Sequence, residues 1–383
     1  MVAVSDRLEI LFATIAAGGG HVATARAMTE AIERYFPGEF HLRVEDYMKG
    51  VGTTELDRRH KDSWRRALRY PVLARAGQRL IDAFPGPAIA AQRLLLRDFA
   101  RAAARDLERR SPRLVVSNHG LITTGLAEAK RLYGLRIPVL TFATEPHNIS
   151  AYWAEPRADY VVAPSEEVRR DLLRLGIPSG KLEVVGYPVR QSFLNPPSKK
   201  EARQRLVLQD RFTCLVTFGG EGVGGDQLRL VDTLLSSDAS PQVVAVTGRN
   251  EALKADLGRI RAGHDRLKVE GFVEDMAPHL AASDLFVGKA GPASVYEALA
   301  VGRPALLTGY AGLNERAVLR FVVREGVGCH VKNRNDLLQA TRRYAADPAL
   351  SEDVAIRCRA LGIEDATERL ARYVVRYARR HGG

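Results

Sequence analysis

The chain has 383 residues, 46% of them hydrophobic and 27% charged, which excludes a disordered protein and suits two domains better than one. Its net charge of +12 calls for an anionic partner: nucleotide phosphates, nucleic acid or an acidic membrane surface. Cys214, Cys329 and Cys358 are too few and too scattered for a disulfide framework or a zinc cluster, so a reducing compartment is expected, and no apolar run reaches the roughly 20 residues that span a bilayer.

In chain order, "LEILFATIAA" from Leu8 is a short apolar run of the kind that forms a buried parallel strand, preceded by Asp6 and Arg7 rather than by a signal-peptide pattern. "GGGH" at Gly18 to His21 follows it. Val22, Ala25, Ile32 and Phe36 then recur at helical spacing, up to Pro37-Gly38.

Residues 57–110 differ in kind: Arg65, Arg66, Arg69, Arg75, Arg79, Arg93, Arg97 and Arg101 interleave with Trp64, Tyr70, Leu73, Leu80, Phe84 and Leu95. A basic amphipathic helix of this composition lies on an anionic bilayer, whereas the plainer alternative is a solvated arginine-rich face. No nucleic-acid-binding signature accompanies the charge, so nucleic acid is not expected as a partner.

The strand-and-helix alternation resumes with "RLVVSNHG" and a helix to Tyr133, "IPVLTFAT", "ADYVVAP" with a helix from Ser165, and "LEVVGYP". It breaks at "NPPSKK", Asn195 to Lys200. A second series follows: "FTCLVTFGGEG", "QVVAVTGRN", "LKVEGF", "DLFVGKAGP" and "RPALLTGY". The pattern is α/β, with two doubly wound, Rossmann-like domains joined near residue 197 and ligand expected at the carboxyl ends of the strands.

The glycine turns carry the candidate chemistry. Gly18, Gly19 and Gly20 expose backbone N–H groups at a helix start, where an anion is favoured, and His21 adds a donor or a base. Gly220, Gly222 and Gly225 satisfy a dinucleotide spacing. The next strand nevertheless ends in Thr247, Gly248 and Arg249 rather than in an acid, so NADP is a secondary reading. In "KAGPASVYEALA", Gly291 and Pro292 start a helix and place Glu297 in its second turn; Ser294 and Glu297 alternatively have capping-box spacing.

"GFVEDMAPHLAASDLFVGKAGPASVYEALAVGRPALLTGYAGLNE", "GGGHVATARAM", "PSEEVRRDLLRLGI", "VVGYPVRQSF", "GGEGVG" and "GRN" together resemble glycosyltransferase family 28, in its monogalactosyldiacylglycerol synthase and processive diacylglycerol glucosyltransferase branch. The resemblance covers nearly the whole chain. It implies a GT-B fold with an inter-domain cleft: an acceptor- and membrane-binding domain at 1–195, a UDP-sugar-binding domain at 196–365, and a C-terminal helix at 366–383 packing back on the first domain.

The activity implied is inverting transfer of a hexose from a UDP-sugar to a lipid acceptor such as diacylglycerol, by a protein peripheral on the cytoplasmic face of the cell membrane. By position, Gly271, Phe272, Val273 and Met276 flank uracil, Gly291, Pro292, Ala293 and Ser294 hold the diphosphate, and Glu297 takes the ribose hydroxyls. Asn314 and Glu315 stand where the family's Gln-Glu pair meets the donor sugar, and Gly219, Gly220 and Arg249 line the donor site. No metal or other cofactor is expected, because helix N-termini and cationic side chains can neutralise the leaving UDP.

The base that deprotonates the acceptor is open among His21, His119 and Glu145. Here the chain has His119-Gly120 for the family's His-Pro and Thr144-Glu145 for its Thr-Asp. A polyprenyl-linked or other isoprenoid acceptor, and a non-catalytic nucleotide-sugar or lipid binder, are the competing readings.

Overall fold

The computed structural model describes residues 8–17, 19–222 and 226–380. The chain divides into two compact units, residues 1–190 with 364–383, and residues 191–363. The first division thus falls before residue 195, because "QSFL" at Gln191–Leu194 forms a short helix assigned to the second unit.

Unit 1 is built on a parallel sheet of β1 (Leu8–Thr14), β2 (Phe40–Asp46), β3 (Leu114–Ser117), β4 (Val139–Phe142), β5 (Tyr160–Ala163) and β6 (Leu182–Val184), in the order β2-β1-β3-β4-β5-β6. The strand order reverses direction between β1 and β3. β3 and β4 are buried along their whole length, which is why they read as unbroken apolar runs. The core joins Leu11, Ile15, Val115 and Leu126 to the helix Arg97–Arg110, where Phe99 packs against Gly125 so closely that a Cβ there would lie 2.2 Å from its ring.

Residues 57–110 form no single amphipathic helix. Pro71 and Pro85 break them into helices Thr54–Arg69, Pro71–Ala83, Pro85–Leu95 and Arg97–Arg110, since proline is accommodated in the first helical turn and not beyond it. The fourth helix buries Phe99, Ala100, Ala103, Ala104 and Leu107. The two middle helices leave Val72, Leu73, Leu80, Phe84, Leu94 and Leu95 exposed, each by 60% or more. Among the described residues no helix is long and apolar enough to cross a membrane.

The last helix, Ile363–Arg380, lies on unit 1. Val189 N donates to Thr367 Oγ1 at 3.2 Å, Arg113 Nε to Ala378 O at 3.0 Å, and Arg379 pairs with Glu39 at 2.7 Å.

Unit 2 repeats the plan with β7 (Thr213–Thr217), β8 (Gln242–Val246), β9 (Leu267–Glu270), β10 (Leu285–Lys289), β11 (Ala305–Gly309) and β12 (Gly328–His330), all parallel, in the order β12-β11-β10-β7-β8-β9. Its order reverses between β7 and β10. Val216, Leu234, Val243, Leu257, Val287 and Leu306 form its core. In both sheets the reversal leaves a crevice at the carboxyl ends of the two strands, the place where open α/β sheets hold ligands.

Candidate functional site

In unit 1 the crevice between β1 and β3 gathers imidazoles. The turn after β1 ends at Gly19, whose φ of 81° requires glycine, and the helix Gly20–Tyr35 starts there, with His21 in its first turn. The turn after β3 carries Asn118 and His119, and His119 caps the helix Gly120–Tyr133. The His21 and His119 rings are 4.7 Å apart in T-shaped contact. His21 Nδ1 lies 2.9 Å from Thr144 Oγ1, in the loop after β4. Tyr152 Oη lies 3.0 Å from His119 Nδ1, and the indole of Trp153 flanks both histidines at 6.3 and 6.4 Å between ring centroids.

His60, Tyr152 and Trp153 join this cluster without having been expected from the sequence. His60 comes from the basic helix Thr54–Arg69, and its ring meets that of His119 at 4.9 Å and 89°.

Gly120, standing where the family has proline, has a steric reason. A Cβ on it would lie 2.6 Å from Tyr152 O and 2.8 Å from Tyr152 Cδ1, so only glycine lets Tyr152 approach His119. Gly120→Ala is expected to destabilise the protein by about 1–3 kcal/mol through overpacking, measured by chemical denaturation; unchanged stability would contradict this close approach.

Burial sets the protonation of the cluster. It holds His21 at a pKa of about 4, against the support of the Asn118 backbone carbonyl and with further lowering from His60. Burial also lowers His60, and lowers His119 well below the ordinary value, so all three rings are neutral at pH 7. Glu145 moves the other way, to about 7, because burial favours its neutral acid; the Trp153 indole and a Ser150 backbone group temper the rise and Asp82 adds to it. Glu145 Oε2 and Trp153 Nε1 are buried without a hydrogen bond of good geometry. The crevice therefore holds both proton acceptors and a carboxyl that titrates near neutrality.

In unit 2 the expected donor residues lie in the loops that follow β7, β8, β9, β10 and β11. Gly219 and Gly220 follow β7, and Arg249 N donates to Gly220 O at 2.9 Å. Gly248, with φ 60°, is closely packed: a Cβ there would meet Gly220 O at 2.5 Å. The Arg249 guanidinium sits 4.2 Å from the centre of the Phe272 ring, which is 52% exposed. Gly271, Val273 and Met276 complete that loop at intermediate burial. Gly222 is described, whereas Gly18 and Gly225 lie outside the described residues.

After β10, Gly291 is the N-cap of the helix Pro292–Ala300 and no side chain caps it. Ala293 and Ser294 therefore lie inside the first turn, which removes Ser294 as the cap of a capping box, and Glu297 falls in the second turn. Beside this helix start, Lys289 Nζ donates to Glu315 Oε1 at 2.9 Å, and Glu315 Oε2 accepts from Ala311 N at 2.6 Å. Both oxygens of Glu315 are thus engaged within the protein, which fixes Lys289 next to the free helix N–H groups. Asn314, its neighbour, is half-buried at the start of the helix Leu313–Arg324. Among the described residues no group of three His, Cys, Asp or Glu side chains is arranged to hold a metal ion.

Comparison with known proteins follows the two units. Residues 215–315 match the glycosyltransferase family 28 C-terminal domain, and residues 48–191 match Glycosyltransferase Family 4. The chain is 27% identical over 335 residues to monogalactosyldiacylglycerol synthase 1, chloroplastic, of Arabidopsis thaliana, covering 84% of this chain and 61% of that protein. With the probable monogalactosyldiacylglycerol synthase, chloroplastic, of Nicotiana tabacum it shares 28% over 330 residues, 81% of this chain and 59% of that one. The chain thus spans 61% and 59% of the length of these two curated relatives.

Among solved structures, Os79 from O. sativa in complex with U2F and trichothecene superimposes with a TM-score of 0.63 at 14% identity, over 98% of this chain and all (100%) of that one. Anabaena Alr3699/HepE in complex with UDP gives 0.57 at 16%, over 96% and 99% of the two chains. UDP-GlcNAc 2-epimerase from Neisseria meningitidis bound to UDP-GlcNAc gives 0.59 at 14%, over 97% and 100%. At such identities the likeness is one of fold, and an epimerase among these neighbours underlines that the fold alone assigns no reaction.

Two doubly wound units with glycine-rich turns at their switch points define a protein of the GT-B class. Within that fold, the second unit carries the match to the glycosyltransferase family 28 C-terminal domain, and the chain is similar over most of its length to the monogalactosyldiacylglycerol synthases.

Proposed function

We propose that the protein transfers a hexose, with inversion, from a UDP-sugar to a hydroxyl of a membrane lipid such as diacylglycerol. The observation that carries this is the packing of the His21 and His119 rings, 4.7 Å apart between centroids, at the unit 1 switch point, in a chain similar to proteins named monogalactosyldiacylglycerol synthase. The acceptor oxygen bonds to the anomeric carbon as the bond from that carbon to UDP breaks. The acceptor's proton passes to the imidazole of His21, with His119 beside it, and the electron pair of the broken bond leaves on the UDP phosphate oxygen.

The uncapped helix start at Gly291 and the ammonium of Lys289 neutralise that developing charge, so the transfer needs no metal ion. Phe272 and Arg249 form a surface for the base, and Glu297 takes the ribose. Calorimetric titration tests the donor half: UDP binds and excess NADP does not displace it, whereas displacement by NADP contradicts the assignment.

The acceptor half places the protein on the bilayer. Exposed Leu73, Leu80, Phe84 and Leu95 enter the acyl boundary while Arg65, Arg66 and Arg69 meet anionic headgroups on the cytoplasmic face, where UDP-sugars are available. Changing these three arginines to glutamine is expected to weaken partition to anionic vesicles by about 1 kcal/mol per residue, seen by co-sedimentation. Binding that ignores both the substitutions and added salt would leave the arginines as a solvated face.

A further inference from the structure

His60 is the one imidazole of the cluster that a helix outside the glycine turns delivers. Its helix, Thr54–Arg69, turns Asp57, His60, Lys61 and Trp64 inward, and Lys61 bolts that face down by ion pairs to Asp57, at 2.7 Å, and to Asp46 at the end of β2. The outer face carries Arg58 and Arg59, both paired with Glu55. The His60 ring is thus seated by its own helix and packs on His119, which lies among three rings: His21 at 4.7 Å, His60 at 4.9 Å and Tyr152 at 5.5 Å between centroids.

Building on the transfer reaction proposed above, we propose that His60 is a positioning residue, whose ring holds His119, and through it His21, in the orientation that accepts the acceptor's proton. Ring packing rather than hydrogen bonding is the means: His60 meets His119 at 89°, edge against face, and His119 meets His21 at 62°. The charged and titratable groups that face His60 are Asp57, Lys61 and Asp46 on its own side and His21 and His119 across from it, with Tyr152, Glu145 and Asp82 beyond. The two aspartates and Lys61 act in opposite senses, so burial decides and the ring is neutral. Three imidazoles packed ring on ring share at most one proton, because a second like charge within about 5 Å is strongly disfavoured. Removing His60 takes away the ring packed on one side of His119, leaving only the Leu121 N and Tyr152 Oη contacts at Nδ1 to orient it, and opens that side to water.

The test uses the full chain with His60→Ala and His60→Phe. His60→Ala is expected to lower kcat at least tenfold, leave UDP affinity within twofold, and move the acid limb of the kcat–pH profile to higher pH as water reaches the two remaining rings. His60→Phe keeps a ring in place and restores most of kcat together with the low acid limb. Side-chain NMR of histidine-labelled protein follows the titration of His21 and His119 without any turnover, so it decides even if no lipid is glycosylated: both titrate higher in His60→Ala and not in His60→Phe. Parent-like titrations and kcat in His60→Ala overturn the proposal. So does a His60→Phe protein with restored titrations that remains as slow as His60→Ala, because that assigns the imidazole itself to proton transfer. Should His60→Ala fail to fold, His60→Asn takes its place with the same expected shifts.

Discussion

His21→Ala is expected to lower turnover by roughly 10²–10⁴-fold, the range for loss of a general base, while leaving UDP affinity unchanged. The split follows from the fold: His21 sits at the switch point of unit 1, whereas the residues assigned to UDP lie in the loops of unit 2. The same substitution has a pH signature. A histidine held at about 4 in the folded state and at 6.5 in the unfolded one contributes stability that is fully present above 6.5 and is lost as pH falls toward 4. His21→Ala therefore loses less stability than the parent between those limits. Glu145 works with the opposite sign: its raised pKa stabilises the fold below 4.5, and that contribution disappears as pH rises through 7. Stability curves measured against pH in the two proteins separate the terms, and identical acid sensitivity would show that His21 is not buried as described.

Lys289→Met is expected to damage unit 2 in two ways at once. Glu315 is only 4% exposed, and removing the ammonium from its Oε1 leaves a buried carboxylate with the Ala311 amide alone. Breaking such a pair costs about 3–5 kcal/mol, since the remaining charge keeps its desolvation penalty without its partner. The double variant Lys289→Met with Glu315→Gln removes that charge and recovers most of the stability. UDP affinity, in contrast, stays low in both, because the cation beside the Gly291 helix start is gone in each. A double variant that regains UDP affinity along with stability would make Lys289 a structural residue only.

Both sheets were legible where their strands are buried. β3, β4, β7 and β8 are covered on both faces and read as continuous apolar segments, whereas β2, "FHLRVED", and β12, "GCH", are half-exposed edge strands whose mixed composition carries no such signal. At "NPPSKK" the strand-and-helix alternation breaks, and the structure has Ser198 and Glu201 form a capping box that starts the helix Lys199–Arg205.

The candidate site divides in the same way. His21 and His119 stood out because each borders glycine at the end of a strand, and the helix start at Pro292 followed from proline chemistry. His60 lies in "DRRHKDSW", where charge density hides it. The inward spacing of Asp57, His60, Lys61 and Trp64 was the available clue, but only the packing of that helix against His119 gives it meaning. The engagement of Glu315 by Lys289 was likewise hidden, because the pair is made across 26 residues, between the end of β10 and the first turn of the helix Leu313–Arg324 that follows β11.

The most direct test of the account is incubation of the purified protein with a panel of UDP-sugars and diacylglycerol in anionic vesicles, with lipid products read by mass spectrometry. A gain of one hexose mass on the lipid with at least one donor, lost in His21→Ala, is the expected result. Bound UDP without any glycosylated lipid, from diacylglycerol or from a polyprenyl-linked acceptor, would contradict it.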